Sequence, residues 1–452
     1  MSDCRSCADF SRSQLLRAAA GAGLPAVEPG MPTPAGTGLT RRAFVSRAAG
    51  LALAVYGVDK LGFTALDDGI AHAATGGRVL VSVFLQGGAD ALSLLYPADD
   101  ATYLKLRPQL ALPASAGPFF AEDTRLHWHP SLAPIATLHG EGKVAVLPSI
   151  GYDHPDQSHF TSRHYWEVGA TDPRLLTGWL GRYLDAVGTG DNPLQGLSLD
   201  GSLSPTLATT KVPVAAIDGT NYGFWTQNVW GKPEDRLYES LAAIGTASKS
   251  AAGDIALQSL RLREQMLPFA GDGNTPPFKS PVAYPQSGDS QFPQQLAGLA
   301  AMLAAGLPLT CVAVEAAGSY DTHSDQATGF ATDVALTASS LLAFQRDLEA
   351  RGLQDRVVVH VWSEFGRRAE ENGSAGTDHG AAGTGFLIGS RVNGQQVGEF
   401  PGLTTGLDVD GNLVPTSDFR GVYASLLEQW FDFDASQVLP NASSFARTKL
   451  IR

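Results

Sequence analysis

Cysteine is nearly missing from this chain: among 452 residues only Cys4, Cys7 and Cys311 carry a thiol. Cys311 lies inside the apolar run Leu309 to Val314, where a small buried hydrophobe is the expected role. Cys4-x-x-Cys7 has no second pair to complete a zinc ribbon. A disulfide framework and a cysteine-held structural zinc are therefore excluded for the body of the chain, and stability must come from core size. Basic charge is also short, with 32 Lys+Arg against 45 Asp+Glu and a net charge of −13. No basic cluster interleaved with aromatics stands out, so nucleic-acid binding is disfavoured, and an acidic surface argues against docking to anionic lipid. An aromatic share of 8% beside fifty glycines fits a loop-rich enzyme better than a coiled coil or a solenoid, and there is no internal repeat. Familiar catalytic signatures are missing as well: no Gly-x-Ser-x-Gly elbow, no Walker loop, no His-Glu-x-x-His, and no third glycine after Gly87-Gly88 to make a dinucleotide fingerprint. Asp408-Val409-Asp410-Gly411 lacks the later glutamate of a calcium loop.

What is present begins with an export signal. Thr40-Arg41-Arg42-Ala43-Phe44-Val45 opens a twin-arginine motif, followed by a moderately apolar stretch, Ala48 to Val58, too short to span a bilayer, and by a small-residue site at Ala71-His72-Ala73. Residues 1–73 are expected to be a twin-arginine signal with an extended leader that carries Cys4 and Cys7. The partner during export is then the twin-arginine translocase, and the destination is periplasmic, cell-surface or extracellular. The remainder, 74–452, has 25 Lys+Arg and 39 Asp+Glu, a net charge of −14, and is expected to contain no transmembrane segment. About 380 residues suffice for one large α/β domain or two smaller ones.

Four apolar runs read as parallel strands: Val79 to Leu85, Val144 to Leu147, Thr310 to Val314 and Val357 to Trp362. Between the last two, Ser324 is placed to cap a helix whose apolar positions Phe330, Val334, Leu341, Phe344 and Leu348 keep helical spacing. That is a βαβ crossover, the signature of a parallel sheet covered by helices. A helical stretch over 232–267 and a Pro/Gly/Ser-rich stretch over 268–290 form an expected insertion at about 232–290. Asn393-Gly394 and Asp410-Gly411 look like hairpin turns.

In such sheets ligands gather beyond the carboxyl ends of the strands, and each expected strand ends in chemistry-bearing residues. Asp90 follows the first strand. Ser158 and His159 follow the second, with Ser158 opening a helix expected over His159 to Val168. A serine there is either a simple N-cap or part of an anion site among free N–H groups. Asp321 and His323 follow the third, at i and i+2, a spacing that turns two side chains toward one point. Glu364, Asp378 and His379 follow the fourth. Carboxylates mixed with imidazoles suit a divalent zinc, manganese or iron ion.

Arg78-Val-Leu-Val through Gln86-Gly-Gly-Ala-Asp90, Gln157-Ser158-His159-Phe160, Tyr320-Asp321-Thr322-His323, Ser363-Glu364-Phe365-Gly366-Arg367, Gly376-Thr377-Asp378-His379-Gly380 and Asp418-Phe419-Arg420-Gly421-Val422-Tyr423 keep the order of motifs of an exported bacterial family, domain of unknown function 1501. The chain resembles that family over nearly all of 78–432. The resemblance implies an alkaline-phosphatase-like fold: an α/β, three-layer αβα sandwich with a mostly parallel central sheet, shared by phosphatases, sulfatases and phosphodiesterases. It implies one or two divalent metals at the strand ends and a nucleophile at a helix start. Ser158 resembles the nucleophile, Asp321 and His323 a metal pair, and His379 the late metal-binding histidine. Glu364 stands where many members have the Asp of Asp-His-Gly, with Phe365 in place of the histidine. Ala89 and Ala91 also replace the family's more frequent Asn and Gly. The implied activity is metal-dependent hydrolysis of small anionic phosphate or sulfate esters, with Arg367 or Arg163 pairing the transferring anion. Asp90, Glu364, Asp378 and His159 would be ligands or would hold a ligating histidine. The alternative is a non-catalytic exported binding protein on the same fold.

Overall fold

The computed structural model describes residues 77–217 and 278–452, a strand at 53–56, and scattered single positions between 236 and 269. Its centre is a nine-stranded sheet built from β1 (Leu53–Tyr56), β2 (Val79–Phe84), β3 (Val144–Gly151), β4 (Gly196–Ser198), β5 (Val214–Ile217), β6 (Cys311–Glu315), β7 (Val357–Trp362), β8 (Gly383–Ile388) and β9 (Ser417–Asp418). The spatial order is β1-β5-β4-β6-β2-β7-β8-β3-β9. Only β1 and β8 run against the rest. The four expected strands are β2, β3, β6 and β7, and three of them lie side by side, Val79 pairing with Val357 and Leu80 with Cys311.

Alternation along these strands explains the layers. Val79, Val81, Val83, Val312, Val357, Val359 and Val361 point into one apolar cluster, and Leu80, Phe84, Cys311, Ala313, Val358 and Trp362 into the other. The first face is covered by α1 (Ala133–Gly140), α4 (Phe292–Ala304) and α5 (Gln326–Ala350). The second is covered by α2 (His159–Val168), α3 (Trp179–Val187) and α6 (Phe419–Gln429). The fold is thus a three-layer αβα sandwich around a mostly parallel sheet, and continuous β-branched runs arise because both faces are buried. Each fully buried Val or Leu contributes roughly 1.5–3 kcal/mol of transfer free energy.

α5, 25 residues long, is long and apolar enough by composition to cross a bilayer, with a mean hydropathy of 1.3 over an 18-residue stretch. Here Phe330, Val334, Leu341, Phe344 and Leu348 bury against the sheet instead. Its cap is Asp325, left-handed at φ 46° with no side-chain cap bond, one residue beyond the expected Ser324. Asp410-Gly411 turns a short antiparallel pairing of Leu407 with Leu413, as expected. Asn393-Gly394 makes no hairpin; Val392 bridges to Ile451 instead. The export signal lies outside the described residues except for Leu53–Tyr56, within the expected apolar stretch, which pairs with the edge of β5. Most of the expected 232–290 insertion is also outside them, although Leu262 and Met266 are helical and buried.

Candidate metal centre

The carboxyl ends of β2, β3, β6 and β7 share one edge of the sheet, so their loops converge. The loop after β3 delivers Gln157, Ser158 and, as the first residue of α2, His159. The loop after β6 delivers Asp321 and His323. Glu364 and Phe365 follow β7 directly, and a short antiparallel ribbon, Arg367–Glu371 with Thr377–His379, folds back so that Arg367 faces His379.

Four side-chain atoms meet there. The Nε2 atoms of His159 and His379 are 2.9 Å apart, and those of His323 and His379 are 3.0 Å apart. Oδ1 of Asp321 lies 3.5 Å from His159 Nε2, 3.0 Å from His323 Nε2 and 3.5 Å from His379 Nε2. The ligand atoms of His159, Asp321 and His379 all fall within 4.8 Å of one another. A tetrahedral zinc with bonds of about 2.0–2.1 Å needs neighbouring ligand atoms about 3.3 Å apart. The observed spacings bracket that value.

Each imidazole is oriented through its other nitrogen. His159 Nδ1 is 2.7 Å from Glu364 Oε1, His379 Nδ1 is 2.8 Å from the Gln157 carbonyl, and His323 Nδ1 is 3.3 Å from Asp378 Oδ1. A carbonyl can only accept, so His379 carries its proton on Nδ1 and presents a lone pair on Nε2. Carboxylates set the same tautomer for the other two rings. Three imidazole nitrogens and a carboxylate oxygen aimed at one point require positive charge between them. Protons can supply it in the free protein, and a divalent ion fits the donor set and its spacing. His159, Asp321 and His379 are the residues that would hold it, with His323 bearing on the same Asp321 and His379.

The electrostatics of Asp321 and His379 agree with a ligand role. Burial would raise the Asp321 carboxyl, but its contacts with His159, His323 and His379 and the charge of Arg367 outweigh it and hold it far below the usual range. Burial pushes the His379 imidazole down, and Asp321 only partly opposes this. For His159 the hydrogen bonds to Asp321 and Glu364 overcome burial and lift it. Burial likewise works against ionised Glu364, yet its bond to His159 keeps it a carboxylate.

Glu364 is itself held by an unusual loop. Its carboxylate accepts from Gly87 N at 3.0 Å, Gly88 N at 3.0 Å and Ser363 Oγ at 3.0 Å. Both glycines have positive φ, 113° and 75°. A Cβ at Gly87 would lie 2.4 Å from Asp321 N, and one at Gly88 would lie 2.3 Å from the Phe365 ring. Only glycine fits at either place.

The other expected site residues are placed as follows. Asp90 is fully buried outside this cluster, where both oxygens bind Arg107, with further bonds from Ser93 Oγ at 2.6 Å and Gln326 Nε2 at 2.7 Å. Arg367 is fully buried and spends its donors inward, on Gly88 O at 2.8 Å, Gly87 O, Thr377 O at 2.9 Å, Tyr320 O at 3.2 Å and Asp321 Oδ1 at 2.5 Å. Arg163 pairs with Glu167 at 2.6 Å and Glu315 at 3.0 Å and lies over Phe84. Asp378 is about half exposed and orients His323. Ser158 is the N-cap of α2, without a side-chain cap bond, between Gln157 and His159.

Five residues contribute in ways that sequence reading does not show. The Gln157 carbonyl and the Gly87 and Gly88 amides are backbone groups, although Gly-Gly after a strand is a signal of close approach. Phe365 packs its ring 4.8 Å from His159 and 4.9 Å from His379. Arg107 caps the C-terminus of a six-residue helix, Ala101–Leu106, too short to show a period.

No curated protein matches the sequence. Among solved structures, the chain is similar to Ps i-CgsB in complex with k-i-k-neocarrahexaose, at 10% identity and a TM-score of 0.35, covering 83% of this chain and 75% of that one. It is similar to the C-terminal periplasmic domain of EptC from Escherichia coli in complex with Zn, at 10% identity and a TM-score of 0.36, covering 81% and 88%. A protein in the alkaline phosphatase superfamily from Vibrio parahaemolyticus shows 9% identity and a TM-score of 0.30, covering 84% and 76%. The architecture described above stands on its own strand order and layers. A family model matches residues 152–428, from the loop that carries His159 through most of α6, and the chain belongs to that family, described as Protein of unknown function (DUF1501).

Proposed function

We propose that this protein is a metal-dependent hydrolase of phosphate or sulfate esters, with the reaction centred on His159, Asp321, His323 and His379. The observation that carries the reading is the convergence of three Nε2 lone pairs and one carboxylate oxygen, each imidazole locked by an acceptor on Nδ1. When bound, a zinc, manganese or iron ion there supplies Lewis-acid polarisation and lowers the pKa of a coordinated hydroxyl or water. Ser158 is the proposed nucleophile. It is partly exposed, its side chain makes no cap bond, and it sits at the N-terminus of a ten-residue helix whose dipole favours an anionic ester. Glu364 and the Gln157 carbonyl keep His159 and His379 in the ligating tautomer, and Arg367 holds Asp321.

The test is Ser158→Ala in the purified protein, assayed on aryl phosphate and aryl sulfate esters with zinc, manganese and ferrous iron. The expected result is a loss of at least about 10²-fold in kcat with metal content unchanged. Unchanged turnover would remove Ser158 from the mechanism. A second reading, a binding protein without turnover, is favoured by one observation: Arg367 and Arg163 are both engaged with protein groups, so neither is placed to pair with a transferring anion. Tight sulfate or phosphate binding with no ester cleavage would select it. We also propose twin-arginine export of this domain, which N-terminal sequencing of the secreted or periplasmic form would test by a start near Ala74.

A further inference from the structure

We propose that the centre takes a single divalent ion and that the guanidinium of Arg367 stands where a second cation would have to sit. This rests on the metal reading above and adds to it the nuclearity of the site.

The first argument is the supply of lone pairs. A second ion needs its own oxygen or nitrogen ligands, and the buried carboxylates of Glu364 and Asp90 are committed. Glu364 Oε1 takes His159 Nδ1 and Gly87 N, and Oε2 takes Gly87 N, Gly88 N and Ser363 Oγ. Both oxygens of Asp90 bind Arg107, and Oδ2 also takes Ser93 and Gln326. The second argument is charge. A divalent ion together with Arg367 balances Asp321, Glu364 and Asp378. A second divalent ion would leave two positive charges uncompensated in a largely buried site, and burial makes that costly. Arg367 cannot step aside, because five protein oxygens hold it and its side chain is fully buried.

The third argument is space. The Phe365 ring lies against His159 and His379 and against Gly88, so this flank offers no lone pair and no room for an ion with its waters. The exposed members of the cluster are His323, at 25% of its side chain, and Asp378, at 48%. The ion therefore exchanges, and an ester approaches, from the His323 and Asp378 side.

The experiment is metal counting on the full chain. Protein stripped with chelator is titrated with zinc, manganese or ferrous iron, desalted and analysed by elemental mass spectrometry, with anomalous diffraction from soaked crystals locating the ion. The expected result is one ion per chain, within bonding distance of His159, Asp321 and His379 and outside the Arg367–Phe365 flank. Phe365→His, which adds an imidazole there, should still bind one ion, because Arg367 keeps its charge. Two ions per chain in the wild type would overturn the proposal and leave the hydrolase reading standing. Two ions in Phe365→His alone would assign the exclusion to Phe365 and overturn the role given to Arg367. Uptake of none of the three metals would overturn the metal reading itself.

Discussion

Replacing Glu364 with glutamine separates the metal centre from the scaffold that holds it. The wild-type carboxylate is buried and receives hydrogen bonds from two backbone amides, a serine hydroxyl and the His159 imidazole. Glutamine keeps one acceptor oxygen and puts an NH2 group where the other oxygen was. At least one buried amide, Gly87 or Gly88, then faces a donor, which costs about 1–3 kcal/mol. If the glutamine instead turns its NH2 toward His159, the ring must invert its tautomer and place a proton on Nε2, the atom that points at the centre. Loss of such an orienting partner typically lowers metal affinity about 10–100-fold. The variant should therefore unfold at lower urea by about 1–3 kcal/mol in chelator and bind zinc 10–100-fold more weakly by competition with a chromogenic chelator. Wild-type zinc affinity in a stably folded Glu364→Gln protein would refute the claim that Glu364 works through His159.

Other expectations follow from the same contacts. Asp90→Asn leaves the Arg107 charge buried without its partner and should lower stability by about 3–5 kcal/mol in urea unfolding. Gly88→Ala combines positive φ with a Cβ on the Phe365 ring, so a loss of both stability and metal affinity is expected by thermal melting and zinc titration. Burial, reinforced by repulsion from Glu315, lifts the Asp200 carboxyl to about 7. An acid raised in the folded state contributes stability fully below its unfolded value near 3.9, and that contribution fades as pH rises through about 7. Asp200→Asn should thus match the wild type near pH 4 and exceed it by about 1–3 kcal/mol at pH 8, after allowance for partial exposure.

Much of the scaffold was legible in the chain itself. Runs such as Val357 to Val361 announce strands buried on both faces, and α2 spans His159–Val168 as its serine start implies. β8 escaped because Gly383 and Gly385 dilute its pattern, and β4, β5 and β9 are too short to show a period. The α5 cap could not be read, since Asp325 works through a left-handed backbone and not through its side chain. At the site, residue types were visible and directions were not. Asp321, His323 and His379 look alike as loop residues whether they converge or not. Arg367 reads as an anion binder, and its guanidinium turns inward to five protein oxygens. Asp90 reads as a ligand beyond a strand end, and Arg107 claims both its oxygens.

The central claim is that His159, Asp321 and His379 form a metal centre, with His323 beside it. Zinc-edge X-ray absorption on the reconstituted full chain tests it most directly. The account predicts nitrogen and oxygen scatterers at about 2.0–2.1 Å with the outer-shell pattern of two imidazoles, reduced to one in His379→Ala. A spectrum with no imidazole pattern, or protein that takes up no metal at all, would contradict it.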